Sequence, residues 1–178
     1  MTSNPLQSNP SKSLRYSLDE LTVLLGNELP QLGHRNWVVI TDAAYPLQAH
    51  PAIDTHLCAD ALPNILSLVL SQIEGHNHIR PQIHLDQEFH YVADSEIAGI
   101  SDFRTDLMTR LQSFPHETCR HEDLIRKMDQ AASMYRILLL KSISLFPYSS
   151  VFIELQCGYW NEKSEAALQA TLRHHHKP

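Results

Sequence analysis

The first half of the chain contains one clear helical pattern and one clear strand pattern. Apolar residues recur with helical spacing from Ser17 to Leu25, and the serine is followed three residues later by a glutamate, which predicts a capping box. The run WVVIT (37–41) predicts a short buried strand bounded by polar residues. From Ile53 to Ile73 apolar residues again recur with helical spacing around Pro63, which predicts one helix or two short ones.

The second half alternates between strand-like and helix-like segments. Apolar or alternating runs predict strands at 88–94, 121–128, 136–142 and 150–156. Helical spacing or composition predicts helices at 101–114, 129–136 and 161–178, the last one ending in a polar histidine run. The segment around Pro81 is typical of a polar loop. Because strands alternate with helices, we expect an α/β fold in which a single-domain layered sheet is flanked by helices.

The domain organisation follows from length and from the composition of the two ends. A chain of 178 residues suffices for one core. Residues 1–16 form a polar, proline-containing stretch that predicts a disordered leader, residues 17–160 the domain, and residues 161–178 an appended helix with a polar tail. No run is long and apolar enough to predict a membrane helix, so we expect no membrane partner.

Charge and cysteine usage exclude further classes of function. The net charge of -6 and the scattered basic residues give no electrostatic reason to bind nucleic acid. The three cysteines form neither an even set nor a CxxC pair, which is unlike a disulfide framework or a zinc knuckle. We therefore expect a cytoplasmic protein.

The segment LGHRNWVVITDAAYP (32–46) carries the most informative polar residues. His34 lies in a turn before the predicted strand and Asp42 follows the strand, at the end where open α/β sheets bind ligands. The pattern alone supports two interpretations about equally. In one, His34 and Asp42 belong to a binding site; in the other, Asp42 caps a turn and His34 is a solvated loop residue.

Histidines and cysteines elsewhere suggest two other kinds of site. His76 and His78, with His84 and His90 nearby, could be metal ligands, but their spacing matches no zinc motif and we expect neither a metal nor a cofactor. Cys119 lies between two histidines, yet nearness in sequence does not activate a thiol, so a structural or solvent-facing cysteine is the favoured interpretation.

From about Leu32 to about Gly158 the chain resembles the D-ribose pyranase and L-fucose mutarotase (RbsD/FucU) family. Gly33-His34, the run WVVIT and Asp42-Ala43 reproduce the opening motif of the family, with the same interval of eight positions from histidine to aspartate. Ile53-Asp54 at the head of a predicted helix, with Pro63 in the middle of that helix and an apolar run after it, is a second match. Tyr148-Ser149-Ser150 corresponds to a turn in which the family has Tyr, a small residue and Asn. A gap-free count of 22 positions back from Tyr148 reaches Arg126, where the family has a basic sugar-binding residue.

The resemblance implies an isomerase that interconverts ring forms or anomers of a free monosaccharide. It implies that His34 is the catalytic acid/base and that the sugar is bound by Asp42, Arg126, Tyr148 and Ser150. In the family the basic residue is Arg in fucose mutarotases and His in ribose pyranases, so Arg126 favours L-fucose. The family also implies a homo-oligomer, commonly a decamer, in which the tyrosine turn completes the pocket of a neighbouring subunit.

A non-catalytic homologue is the alternative to an enzyme. Ser150 replaces the family's Asn, and one hydroxyl offers fewer hydrogen bonds than an amide, so the chain could hold a sugar without opening its ring. The retained His34 favours the enzyme, because a protein that only binds needs no acid/base at that position. A purely structural role is the third hypothesis.

Overall fold

The computed structural model describes residues 15–175, apart from the side chains of residues 162, 174 and 175. It contains a seven-stranded sheet with flanking helices, so the predicted single-domain α/β layered fold is confirmed. The strands are β1 (Arg15–Tyr16), β2 (Trp37–Thr41), β3 (Ile53–Cys58), β4 (Ile79–Asp86), β5 (His116–Cys119), β6 (Ile137–Lys141) and β7 (Val151–Cys157). The α-helices of the described part are α1 (Leu18–Glu28), α2 (Leu62–Glu74), α3 (Ile100–Arg110), α4 (His121–Ala132) and α5 (Glu162–His175).

The sheet is mixed because one strand runs against the others. Its strand order is β1-β3-β6-β2-β7-β4-β5, and every neighbouring pair is parallel except the two that β7 forms with β2 and β4. The carboxyl ends of six strands therefore meet at one edge, together with the amino end of β7. We call this the carboxyl edge and the opposite side of the sheet the amino edge.

Strand alternation divides the core between the two faces of the sheet. Helices α1, α2 and α3 pack on one face, against alternate strand residues such as Val38 and Ile83. Helix α4 packs on the other face, against residues such as Val39 and Phe152. Since Ile83 and Leu85 belong to the first core, the alternation of β4 turns His84 and Asp86 toward the face that carries α4.

The segment from Ile53 to Ile73 is not the helix that its apolar spacing predicts. Ile53 and Asp54 begin β3, which is parallel to β6, and only the second part forms a helix. Pro63 lies in the first turn of α2, where its missing amide hydrogen costs nothing, so it starts the helix instead of interrupting it.

Two strand predictions in the middle of the chain are also wrong. Residues 88–94 form the end of a short 3-10 helix and a turn, and the strand lies just before them, in β4. Residues 121–128 begin α4, which buries Leu124 and Met128 four positions apart. Such spacing is helical, and the weak alternation of polar and apolar residues in this segment concealed it.

The remaining predicted elements are confirmed, some with shifted ends. Ser17 and Glu20 form the capping box of α1 through the backbone and side chain of each residue. The strands predicted as WVVIT, 136–142 and 150–156 are β2, β6 and β7, and the helices predicted at 101–114 and 161–178 are α3 and α5. The helix predicted at 129–136 is the end of α4, which stops at Ala132. Arg15 and Tyr16 of the predicted leader form β1, and residues 1–14 and 176–178 lie outside the described residues.

The close approach of Gly158 to the start of β4 gives a stability prediction. A Cβ added at Gly158 would lie 2.4 Å from the Asn77 carbonyl oxygen and 2.9 Å from the Ile79 nitrogen, both backbone atoms. We expect Gly158→Ala to lower the free energy of unfolding by about 1–3 kcal/mol, as overpacking does. Gly26→Ala is the control, because Gly26 lies in α1 with nothing within 4 Å, and it should raise that free energy by about 0.5–1 kcal/mol. Urea unfolding of both variants measures the difference, and equal effects would contradict it.

Candidate functional site

A cavity of about 700 Å³ opens at the carboxyl edge of the sheet. Its polar lining comes from the residue after β2, the first turn of α4 and the turn before β7, which carry Asp42, His121 and Tyr148. The cavity lies within the size range of small-molecule sites. The direction of β7 brings Tyr148 here, since its amino end meets the carboxyl ends of its neighbours.

Asp42 is half-buried and lines this cavity. Its Oδ1 accepts a hydrogen bond of 2.6 Å from the backbone N–H of Ala44, which makes a tight turn after β2. Tyr45, buried in the same turn, also lines the cavity, and its hydroxyl lies 3.6 Å from the sulfur of Met128. Burial, followed by the charge of Asp86, raises the pKa of Tyr45, so this phenol stays neutral at physiological pH.

His121 and Asp86 form a pair that the sequence analysis did not foresee. His121 is the first residue of α4, and its Nδ1 lies 3.0 Å from Oδ1 of Asp86, at the end of β4. The Asp86 carboxylate is fully buried, whereas the His121 side chain is 29% exposed and lines the cavity. Burial raises the pKa of Asp86 to about 6, although the hydrogen bond and charge of His121 act in the opposite direction.

Tyr148 is held in an unusual backbone conformation above His121. Its φ of 55° lies in the left-handed region, which a bulky residue rarely adopts. The next residue supports the turn, because the hydroxyl of Ser149 donates a hydrogen bond of 2.7 Å to the Phe146 carbonyl. The Tyr148 ring is half-exposed and meets the His121 ring edge-on, with 5.5 Å between centroids. Ser150 is buried and is not part of the cavity lining.

His34 lies at the amino edge, far from Asp42. The turn that carries it is fixed by Gly33, whose N–H donates to the Asn36 side chain at 2.8 Å, and by Arg35 at a φ of 74°. The His34 side chain is exposed and lines a second cavity of about 570 Å³ with Arg80, Trp160 and other residues on or before α5. Strand β2 alone separates His34 from Asp42 by about 16 Å at a rise of about 3.3 Å per residue.

Arg126 does not share a cavity with the other predicted sugar-binding residues. Its side chain is 76% exposed on α4, forms an ion pair with Asp123, and lines a separate surface depression. The basic side chain that contacts Tyr148 is His121, 27 positions earlier in the chain. A gap-free count of 22 could not reach it, because the interval from His121 to Tyr148 is 27 positions. A helix start after Arg120, with Glu122 and Asp123 in the first turn, was the signal that could have identified it.

Two of the histidines considered as metal ligands make other contacts within residues 15–175. His76 and His78 contact backbone carbonyls, of Gln72 and Leu32 respectively. Burial raises the pKa of the Cys119 thiol, which makes it a poor nucleophile at neutral pH.

His84 belongs to a group of three potential metal ligands on the α4 face, with Glu117 and Cys119. The His84 Nδ1 lies 2.8 Å from the Glu117 carboxylate. Lys127 places its ammonium 3.8 Å from that carboxylate and 4.0 Å from the Cys119 sulfur, so a cationic group already faces both. The arrangement is accounted for as an ion-pair network.

No helix in residues 15–175 is both long enough and apolar enough to span a membrane. No protein-family model matches the chain, and no curated protein sequence matches it.

The solved structures that match the chain include RbsD, a fucose mutarotase and FucU, from three bacteria. RbsD of Bacillus subtilis, solved with D-ribose, is 14% identical with a TM-score of 0.51, and the match covers 75% of this chain and 91% of RbsD. A fucose mutarotase of Streptococcus pneumoniae, solved with L-fucose, is 16% identical with a TM-score of 0.46 and coverage of 73% and 89%. FucU of Bifidobacterium longum is 14% identical with a TM-score of 0.47 and coverage of 75% and 94%. At these identities the likeness to RbsD establishes the fold.

Proposed function

We propose that this chain, which has the fold of RbsD, is a sugar mutarotase, an isomerase that interconverts the ring forms of a free monosaccharide. The observation that carries the proposal is the cavity at the carboxyl edge, where Asp42, His121 and Tyr148 converge. A carboxylate, an imidazole and a phenol offer hydrogen-bond acceptors and donors for sugar hydroxyls, and the tyrosine adds an apolar face. The chemistry needs no cofactor, because the protein exchanges only protons with the sugar and the sugar is neither oxidised nor reduced.

Ring opening requires two coordinated proton transfers. A base removes the proton of the anomeric hydroxyl, the bond between the anomeric carbon and the ring oxygen breaks, and an acid protonates that oxygen. Closure reverses both transfers, on the other face of the carbonyl or through another hydroxyl. Histidine suits both roles because its ordinary pKa of about 6.5 lets it give or take a proton near neutrality. We assign His34 to one of these transfers and Asp42 to holding the sugar hydroxyls.

The positions of His34 and Asp42 favour a site that is shared between two copies of the chain. A monosaccharide bound beside Asp42 cannot reach His34 of the same chain, because the length of β2 lies between them. His34 of a neighbouring copy can approach that sugar if the amino edge of one copy meets the carboxyl edge of the next. Such head-to-tail contacts generate rings when the rotation closes, so we propose a homo-oligomer.

The choice of sugar depends on the basic residue that the cavity contains. The expectation of L-fucose depended on Arg126, which lines a different depression, whereas His121 contacts Tyr148. In the family that the chain resembles, a histidine as the basic sugar-binding residue is associated with ribose. Because His121 is the basic residue of this cavity, we propose that the ring forms of D-ribose exchange at least as fast as those of L-fucose. The unpaired thiols of Cys58, Cys119 and Cys157 support a reducing, cytoplasmic location.

Saturation-transfer NMR on a panel of free sugars tests the proposed function directly. We expect exchange between ring forms of D-ribose above the uncatalysed rate, and no change in that rate in Arg126→His, because this side chain is exposed outside the cavity. A faster rate with L-fucose, together with a loss in Arg126→His, would restore the assignment based on Arg126. A sugar that binds to the wild type without exchanging would instead support the non-catalytic homologue.

A further inference from the structure

Asp86 is an unusual residue to bury at the end of a strand. Its carboxylate is fully buried, and one oxygen, Oδ2, has no hydrogen-bond partner within residues 15–175. Its other oxygen, Oδ1, accepts a single side-chain hydrogen bond, from His121. Burying a carboxylate with so few partners opposes folding. Buried carboxylates with a specific charged partner in a cavity are characteristic of functional sites.

The pairing fixes the orientation and the tautomer of His121. Because an ionised carboxylate only accepts hydrogen bonds, the imidazole must carry a proton on Nδ1 to donate to Asp86. The other nitrogen, Nε2, is then free to accept a proton. The position of the ring is fixed further by its backbone N–H, which donates to the Glu88 carboxylate at 3.0 Å, and by the edge-on contact with Tyr148.

We propose that Asp86 and His121 form a carboxylate–histidine pair that carries out one of the two proton transfers of the proposed mutarotation. The inference depends on the proposed function, to which it adds a second proton-transfer group beside His34. His121 is the catalytic residue, because it lines the cavity that holds the sugar. Asp86 is a positioning residue that acts only through His121.

The pair completes the proton balance of ring opening. His121 takes the anomeric hydroxyl proton on Nε2, and the electron pair left on that oxygen forms the carbonyl as the ring bond breaks. The electrons of the broken bond stay on the ring oxygen, which is protonated by the imidazolium of His34 from the neighbouring copy. The ionised Asp86 stabilises the imidazolium that forms on His121, and ring closure returns both protons.

The surroundings of the pair give the direction of its pH dependence. The ionisable groups that face it are Asp42 after β2, Tyr45 in the same turn, Glu88 after β4, Glu122 on α4 and Tyr148 before β7. Burial, with the charges of Glu88 and Asp42, raises the pKa of Asp86, against the hydrogen bond from His121. As the pH falls through about 6, protonation of Asp86 removes the anionic partner of His121, so the exchange rate should fall.

The test compares Asp86→Asn with a matched variant at a second carboxylate–histidine pair. Glu117→Gln removes the partner of His84, whose Nδ1–Oε1 distance of 2.8 Å is similar, but Glu117 does not line the cavity. We expect Asp86→Asn to lower kcat for sugar exchange by about 10²- to 10⁴-fold, with a much smaller change in KM. The fall in rate near pH 6 should shift or disappear, and Glu117→Gln should keep the wild-type rate and pH profile. Added imidazole should partly restore exchange in His121→Gly.

The outcomes separate this inference from the proposed function. If Asp86→Asn exchanges sugar with the same rate and pH profile as the wild type, the proposed role of the Asp86–His121 pair is wrong and the mutarotase proposal is unaffected. The same loss in Asp86→Asn and Glu117→Gln, without imidazole rescue of His121→Gly, would assign the pair a structural role. No exchange with any sugar in the wild type would overturn both proposals. Circular dichroism confirms that each variant is folded, and the rescue arm remains decisive if Asp86→Asn fails to fold.

Discussion

A His34→Ala variant is expected to exchange sugar ring forms about 10²- to 10⁴-fold more slowly than the wild type, the usual contribution of a general acid or base. The fold should not change, because the His34 side chain is exposed in a turn held by Gly33 and Asn36. Saturation-transfer NMR measures the exchange rate, and thermal unfolding checks the fold. His116→Ala is the control, since His116 is also exposed but lines neither cavity.

Near-wild-type exchange in a folded His34→Ala protein would contradict this assignment. Catalysis would then belong to the cavity at the carboxyl edge alone, with His121 and its neighbours performing both proton transfers. A loss of equal size in His116→Ala would indicate a general effect on the protein rather than the removal of an acid/base.

Two inactive variants are expected to restore activity to each other when they assemble together. His34→Ala lacks the group at the amino edge, and Asp42→Asn lacks the carboxylate at the carboxyl edge. In a mixed ring, a neighbouring pair can combine the intact His34 of one chain with the intact Asp42 of the other. If the two chains mix at random, we expect about a quarter of the sites to be intact, and about a quarter of wild-type activity.

Co-expression with two different affinity tags, followed by sequential purification on both, isolates the mixed assemblies. Each variant expressed alone with both tags is the control and should stay at the level of the single variants. Mixed assemblies that remain at that level would exclude a site shared between copies. They would require His34 to act, if at all, at the cavity that it lines with α5.

The strands buried on both faces could be predicted from the sequence, and β4 could not. Strands β2 and β6 are continuous apolar runs, because both of their faces are covered. Strand β4 contains Pro81 and four polar residues, Arg80, Gln82, His84 and Asp86, so its sequence is typical of a loop. Pro81 is tolerated because β4 pairs with β5 only from Ile83 onward, which leaves one side of the proline without a strand neighbour.

The sequence identifies Asp42 and Tyr148 as residues of the candidate site, but it does not identify His121, which lies beside them. The residues around β2 identify His34 and Asp42 as polar groups at the ends of a buried strand. The sequence already predicts the strand that lies between His34 and Asp42, and the five residues of β2 hold the two side chains about 16 Å apart. His121 escaped notice because the choice between strand and helix at 121–128 decides which side chains face the cavity.

The burial of Asp86 sets selection for stability against selection for catalysis. With its pKa raised to about 6, the native state binds more protons than the unfolded chain between the ordinary aspartate pKa and that value, so stability falls as the pH rises through this interval. Asparagine at this position would avoid burying a charge at neutral pH, and could still accept a hydrogen bond from His121. A homologue that does not need proton transfer can therefore replace Asp86 and become more stable, and it then tolerates more mutations. A homologue that keeps Asp86 for catalysis must be stabilised by other residues of the core.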